Sequence, residues 1–286
     1  MALIVPERKA RLSEAQRFRI DTAGAESNVA LHLSDLGHRV AWVGRLGQDP
    51  LGDRVSKALE SGGVDLRWSR RDFEAPTAVF FKDPGPVSTE VYYYRVGSAG
   101  SRIRVEDVSA LPFQGARLAH VSGVTLALGP GARAAGNAFL DLARGAGLTT
   151  SFDVNYRRKL WSSADAGPTL ADAARQADLV FVGLDEAKAL WGTGTPEDAR
   201  ALIGDRPELI VKDEGRPVAV FAPGSDRPIR IAVAPVEVRE PVGAGDAFAA
   251  GYLSGVLRGD DLTKRVGLGH SLATRALTTL SDHEGS

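Results

Sequence analysis

From residue 117 onward the chain alternates short apolar runs with helical segments, and this alternation restricts the fold more than any other feature. Strands are expected near Leu118–Ser122, Thr149–Val154, Leu179–Val182 and Leu209–Lys212. Helices are expected near Ala132–Gly145, Ala171–Ala177 and Asp185–Trp191, and the tail after Gly259 reads as one more helix. Apolar strands separated by helices predict a mainly parallel sheet covered on both faces. Ligands of such sheets bind at the carboxyl ends of strands. The polar run Asp153-Val154-Asn155-Tyr156-Arg157 begins at one such end. At 286 residues, 43% of them hydrophobic, the chain is long enough for one large α/β domain, residues 1–286, with a full core.

The N-terminal part is less regular. Residues 7–20 are charged and read as an exposed strand pair or a loop. Val29, Leu33 and Leu36 share a helical face that Gly37 stops. A strand at Arg39 to Gly44 precedes a loop, Gly44 to Gly52, in which Pro50 opens the next helix. Thr77–Lys82 and Thr89–Arg95 read as a hairpin around the turn Asp83-Pro84-Gly85-Pro86. Its aromatic stripe is of a kind that serves packing more often than ligand contact.

Near the C-terminus stands Glu240-Pro241-Val242-Gly243-Ala244-Gly245-Asp246-Ala247-Phe248-Ala249-Ala250-Gly251, a turn that becomes a helix. Gly243 and Gly245 permit a tight bend and close approach to a ligand. The free N–H groups and dipole of the helix start make an anion site. On these few residues alone, the stretch reads first as a glycine turn with Asp246 as a helix cap. The alternative gives Asp246 a proton to accept from an alcohol while the amides steady a moving phosphoryl group.

Bulk properties exclude several classes. Lys and Arg (35) balance Asp and Glu (36), so no nucleic-acid footprint is present. Cysteine is absent, which removes disulfides and thiolate chemistry and fits a cytoplasmic protein. No apolar run approaches a membrane span, and the first residues do not form a signal peptide.

The stretch GAGDAFAAGYLSG closely resembles the C-terminal signature of the ribokinase-like (PfkB) carbohydrate kinases. Gly24 to Gly52 resembles their N-terminal signature: Ala23-Gly24 stands for a glycine pair, Asn28 and Ala30 match Asn-x-Ala, and Gly47, Asp49 and Gly52 match G-x-D-x-x-G. The resemblance implies a ribokinase-like three-layer α/β/α fold with a mainly parallel central sheet. It also implies a small β lid from about 7–22 and 72–100, which in the family covers the sugar and often joins subunits, here a homo-oligomer. ATP and Mg²⁺ are the implied cofactors. Asp246 is the implied base, with the amides of Gly243, Ala244 and Gly245 around the transferring phosphoryl group.

Two further runs narrow the substrate. Tyr92-Tyr93-Tyr94-Arg95-Val96-Gly97-Ser98-Ala99 and Phe152-Asp153-Val154-Asn155-Tyr156-Arg157-Arg158-Lys159-Leu160-Trp161-Ser162 are similar to runs of 2-keto-3-deoxygluconate kinases. That resemblance implies transfer to the terminal hydroxyl of this sugar acid, giving 2-keto-3-deoxy-6-phosphogluconate. Arg95 and Arg157 would offer guanidinium forks to the carboxylate, and Tyr93, Gly24, Asn28 and Asp153 would complete the sugar site. Either arginine also reads as a surface charge, and Asn28 as a polar helix-start residue. A kinase of a neutral sugar such as fructose or ribose, and a non-catalytic sugar-binding relative, are the alternatives. A dinucleotide-binding dehydrogenase fits poorly, because the glycines lie near the C-terminus and lack the later acidic residue.

The sequence also departs from the family. Where N-x-x-E is usual, Gly183-Leu184-Asp185-Glu186 stands, leaving Glu186 to hold Mg²⁺ through water or simply to favour a helix start. Lys212 and Gly215 resemble a K-x-G nucleotide segment with a shifted glycine, and Glu240 replaces the usual Asp before the anion turn as a second metal candidate. The resemblance further places a full strand upstream of Met1 and room for a closing helix at the other end.

Overall fold

The run Leu179–Val182 is buried along its whole length, as a strand covered on both faces must be. It sits inside a six-stranded sheet in the computed structural model, which describes residues 1–8, 10–85, 89–213, 216–234 and 243–278. The chain divides into two compact units, Met1–Ile103 with Val238–Ala250 and Ala273–Ser286, and Arg104–Glu237 with Gly251–Leu272.

In chain order the first unit contains β1 (Ala2–Pro6), β2 (Phe18–Thr22), α1 (Ala25–Asp35), β3 (Val40–Ala41), β4 (Arg45–Gly47), α2 (Pro50–Ser61), β5 (Val64–Asp65), β6 (Arg70–Asp72), β7 (Val79–Pro84) and β8 (Thr89–Tyr94). A four-stranded sheet runs β2-β1-β7-β8, with β1 and β7 parallel and the two outer pairs antiparallel. Side chains alternate across it. Leu3, Val5 and Phe80 are buried on one face, where Tyr93 stacks on Phe80 at 5.6 Å between ring centroids. A second cluster joins α1 and α2 through Ala30, Leu31, Val55 and Leu59, with Leu46 and Val64. Full burial of one such leucine stabilises by about 1.5–3 kcal/mol.

The strand expected at Arg39 to Gly44 is interrupted, and pairing resumes at Arg45–Gly47, inside the expected loop. At the break Trp42 lies over Gly44, where a Cβ would lie 2.5 Å from the indole. Each fragment then finds its own parallel partner, β3 with β5 and β4 with β6. The hairpin strand β7 also runs on to Pro84 through the expected turn residues, its edge paired with Thr89.

The second unit contains α3 (Val105–Val108), β9 (Leu118–Ser122), α4 (Gly123–Leu126), α5 (Pro130–Gly145), β10 (Thr149–Asp153), α6 (Ser163–Gln176), β11 (Leu179–Gly183), α7 (Leu184–Trp191), α8 (Pro196–Ile203), β12 (Glu208–Lys212), β13 (Val218–Phe221) and β14 (Ile229–Ile231). The sheet order is β14-β13-β12-β11-β10-β9, parallel from β9 to β12 and antiparallel at β13 and β14. This is the expected mainly parallel α/β arrangement. Phe152, Val180, Val182, Leu209 and Val211 pack with Leu170 of α6 and Ile203 of α8 in one core. Helix α6 begins eight residues before the expected Ala171. Ser162 caps it by accepting the amide of Asp165, and Pro168 is tolerated inside.

Two helices complete the chain, α9 (Ala244–Arg258) and α10 (Leu262–Thr278). They cross closely at glycine. A Cβ on Gly251 would lie 2.7 Å from the Gly269 Cα, which explains the glycine at that point of the C-terminal motif by packing.

Candidate active site

Helix α9 starts at Ala244, directly after Gly243, whose φ of 90° is a conformation that favours glycine. The amide of Ala247 bonds the Gly243 carbonyl at 3.0 Å. The amides of Ala244, Gly245 and Asp246 precede that bond and have no carbonyl of the helix to reach. They lie at the positive end of a helix dipole, where the anion hole is expected. Asp246 stands in this first turn and is buried.

Asn28, from α1, meets it. Its Nδ2 donates to Asp246 Oδ2 at 2.8 Å, and both side chains are buried. Its Oδ1 accepts the Gly24 amide at 3.3 Å, and its own amide bonds the Gly24 carbonyl at 2.8 Å. Gly24 thus sets both the start of α1 and the orientation of the Asn28 amide. Arg95 follows β8 and lies over the Tyr93 ring at 5.8 Å from the centroid. Burial pushes its guanidinium below the usual arginine range, with Glu26 opposing, and its Nε is buried without a hydrogen-bond partner. A desolvated guanidinium in that condition suits an incoming anion.

Asp153, Gly183 and Lys212 end β10, β11 and β12, three neighbouring parallel strands of the second unit. Glu186, in the first turn of α7, accepts the Gly183 amide at 2.9 Å and the Tyr156 amide at 3.0 Å. Its carboxyl is pushed up by burial and then by Asp153, while Lys212, the Gly183 amide and Arg157 pull the other way. Asp153 is 2% exposed. Its Oδ2 makes a long contact of 3.5 Å with Asn155 Nδ2, and its Oδ1 is buried without a partner. Asn155 has φ of 38°, uncommon for a side-chain-bearing residue and of a kind that marks functional loops. Arg157 is partly exposed, with Nη1 3.9 Å from Glu186 Oε1.

The structure therefore groups the expected residues unevenly. Gly24, Asn28, Tyr93, Arg95, Gly243, Ala244, Gly245 and Asp246 belong to the first unit, and Asp153, Arg157, Glu186 and Lys212 to the second. Gly215 and Glu240 lie outside the described residues. Asp153, expected beside the sugar, is close enough to Glu186 for its charge to raise that carboxyl, and Asn155, which is not among the expected site residues, contacts Asp153 at 3.5 Å. Among the described residues no cluster of three or more metal-ligating side chains exists. A buried carboxylate pair with an orphaned oxygen nevertheless fits Mg²⁺, which is held by one or two carboxylates plus water and phosphate. No described helix is long and apolar enough to cross a membrane.

Known proteins resemble this chain in sequence and in fold. The sequence pattern of the pfkB family carbohydrate kinase matches residues 1–284. A 2-dehydro-3-deoxygluconokinase of Bacillus subtilis (strain 168) is 33% identical, over 100% of this chain and 89% of that protein. A 2-dehydro-3-deoxygalactonokinase of Haloferax volcanii is 31% identical, over 97% of this chain and 87% of that one. The crystal structure of 2-dehydro-3-deoxygluconokinase from Thermotoga maritima matches with a TM-score of 0.88 at 25% identity, covering 99% of this chain and 91% of the other.

Proposed function

The chain belongs to the pfkB family of carbohydrate kinases, and from that membership we propose that it transfers the terminal phosphoryl group of ATP to 2-keto-3-deoxygluconate (2-dehydro-3-deoxygluconate). The acceptor is the terminal hydroxyl, and the products are 2-keto-3-deoxy-6-phosphogluconate and ADP. The observation that carries the reading is Asp246, a buried carboxylate inside the amide-rich first turn of α9. It takes the hydroxyl proton as the oxygen attacks the phosphorus and the bond to ADP breaks. The amides of Ala244, Gly245 and Asp246 donate to the phosphoryl oxygens as charge moves across them.

Within the first unit, Arg95 takes the sugar acid's carboxylate, and Gly24 and Tyr93 border the sugar. The desolvated, partly unbonded guanidinium of Arg95 supports this. Arg157 is a second carboxylate-binding candidate, in the other unit. Asp153 and Glu186 are the groups that would hold Mg²⁺, which when bound neutralises phosphate charge. Lys212 serves the nucleotide.

A panel of 2-keto-3-deoxygluconate, its galactonate epimer, fructose and ribose with ATP, read as ADP release, tests the substrate. We expect kcat/KM for the sugar acids to exceed that for the neutral sugars by at least about tenfold, from one charge-assisted contact. Equal or better turnover of fructose or ribose overturns the acid assignment. Sugar-acid binding with no ADP release overturns catalysis.

A homo-oligomer joined through the sheet of β1, β2, β7 and β8 belongs to the same proposal. Phe18, Tyr92 and Tyr94 are 39%, 40% and 66% exposed on its strands, aromatic surface that a subunit contact would cover. Light scattering on the protein and on Tyr94→Glu checks this, and a monomer at all concentrations refutes it.

A further inference from the structure

We infer that Arg133 is a positioning residue for Arg157: its guanidinium holds Trp161, and through it the loop that aims Arg157 at the carboxylate of the sugar acid. This role rests on the proposed binding of that carboxylate by Arg157. All the residues involved lie in the second unit. The segment 154–162 between β10 and α6 carries a large ring, Trp161, that no step of the reaction uses. The ring is half-buried and packs against the core of the six-stranded sheet. The Arg133 guanidinium, from the start of α5, lies over it at 5.1 Å from the centroid. Arg133 Nε is buried without a hydrogen-bond partner. A desolvated, unbonded nitrogen costs stability that an apolar side chain of the same length would not. The indole face offsets that cost, because it attracts a cation, and more strongly where water is excluded.

The loop closes on itself. The Tyr156 hydroxyl donates to the Trp161 carbonyl at 3.3 Å, and the Leu160 amide donates to the Arg157 carbonyl at 2.9 Å. Tyr156 is buried, and its amide donates to Glu186 Oε1 at 3.0 Å. Residues 156–161 therefore form a ring, pinned by Glu186 at the Tyr156 end and by Arg133 at the Trp161 end. Arg157 rises from inside that ring. Its side chain is 43% exposed, and its contacts are long, 3.5 Å from Nη1 to the Tyr156 carbonyl and 3.9 Å to Glu186 Oε1. The loop, more than any bond of its own, sets where its guanidinium points. A guanidinium fork grips a carboxylate well only when the two planes meet, so a shifted loop is felt as weaker binding of the acid.

The test compares Arg133→Met, which keeps the length and removes the charge, with Arg133→Lys, which keeps a cation over the ring. Calorimetry gives the Kd for 2-keto-3-deoxygluconate, and steady-state kinetics gives kcat and the KM for ATP. Arg133→Met should raise the sugar-acid Kd about three- to tenfold while kcat and the KM for ATP stay within about twofold. Arg133→Lys should keep all three within about twofold of the unaltered protein. In an Arg157→Ala background, Arg133→Met should change the Kd by less than about twofold, because the group it positions is gone. Trp161→Leu removes the ring and should reproduce the loss, which answers the question should Arg133→Met not fold. An unchanged Kd in Arg133→Met and Trp161→Leu overturns the inference. So does an undiminished loss in the Arg157→Ala background, which makes Arg133 a ligand in its own right. A loss in Arg133→Lys as large as in Arg133→Met, or a matching fall in kcat, makes its role one of packing and overturns it too. Unweakened binding of the acid by Arg157→Ala alone is a different outcome, which removes the carboxylate role of Arg157 itself and the positioning role with it.

Discussion

Asp49 Oδ2 accepts the amide of Thr77 at 2.7 Å, while Oδ1 of the same carboxylate accepts the amide of Gly52 at 2.8 Å. One side chain therefore caps α2 and ties its start to the segment that enters β7. Thr77 returns the contact, its Oγ1 accepting the Gly47 amide at 2.9 Å. The G-x-D-x-x-G motif reads, in this light, as a structural clamp. A Cβ on Gly47 would lie 2.2 Å from Asp49 Oδ2, and one on Gly52 would lie 2.2 Å from the Gly47 carbonyl.

Asp49→Ala should lower stability by about 2–4 kcal/mol, from a lost cap and an amide left without its acceptor. The midpoint of urea unfolding measures it. The effect should also depend on pH. Burial pushes the Asp49 carboxyl up, but the amides of Thr77 and Gly52 pull it down further, so its net value lies below the ordinary carboxylate range. A depressed folded value means the stabilisation is complete above about pH 4 and is lost as pH falls. The gap in Tm between the protein and Asp49→Ala should narrow below that pH. A constant gap down to pH 2.5 would show that the carboxylate's charge is irrelevant to the clamp.

Asp246→Asn should lower kcat by a factor on the order of 10²–10⁴ with the sugar Kd nearly unchanged. The substitution keeps shape and removes only the proton acceptor. Its amide still meets Asn28, so the protein should fold with an unaltered Tm. Retention of more than about a tenth of the turnover would be too much for the loss of a general base.

The parallel sheet was legible because its strands are continuous apolar runs, and β9 matches its expected span. Two kinds of information were not local. Pro168 concealed the first turns of α6, since a proline inside a helix reads as a break until packing compensates for it. Helix α8 was missed although Thr195 and Asp198 form a capping box ahead of its apolar face. At the candidate site, the expected residues could be named from their motifs, but not their neighbours. Nothing near Asn28 announces Asp246, and nothing near Asp153 announces Glu186. Such pairings are products of chain topology, and a sequence read segment by segment carries no signal for them.

The two arginines should behave differently when removed. Arg95 is desolvated and its Nε has no partner, so Arg95→Met should leave the unliganded protein as stable or raise its Tm. The same substitution should raise KM for the sugar acid about ten- to hundredfold and leave a neutral sugar little affected. Arg157 is 43% exposed beside Glu186, and an exposed pair contributes at most about 1 kcal/mol. Arg157→Ala should therefore leave Tm almost unchanged while raising KM for the acid. Equal losses for acid and neutral sugars would make both arginines structural.

Asp153 carries the last prediction. Its Oδ1 is buried without a partner, and its charge is one reason the Glu186 carboxyl is pushed up. A buried carboxylate facing another destabilises the protein unless a cation arrives. Asp153→Asn should then raise Tm, measured in EDTA near neutral pH, by a few degrees, roughly the effect of 1 kcal/mol in a chain of this size. The pH dependence follows the same logic. A carboxyl whose folded value is raised contributes stability that is complete below its unfolded value, near pH 4.3, and is lost as pH rises through the folded one. The unaltered protein in EDTA should lose Tm over that rise, and Asp153→Asn should lose less. Mg²⁺ should restore Tm in the unaltered protein by binding the folded state, and do so weakly in the variant. A lower Tm for Asp153→Asn, with the Mg²⁺ response intact, would mean that Asp153 holds the loop after β10 and takes no part in binding the ion.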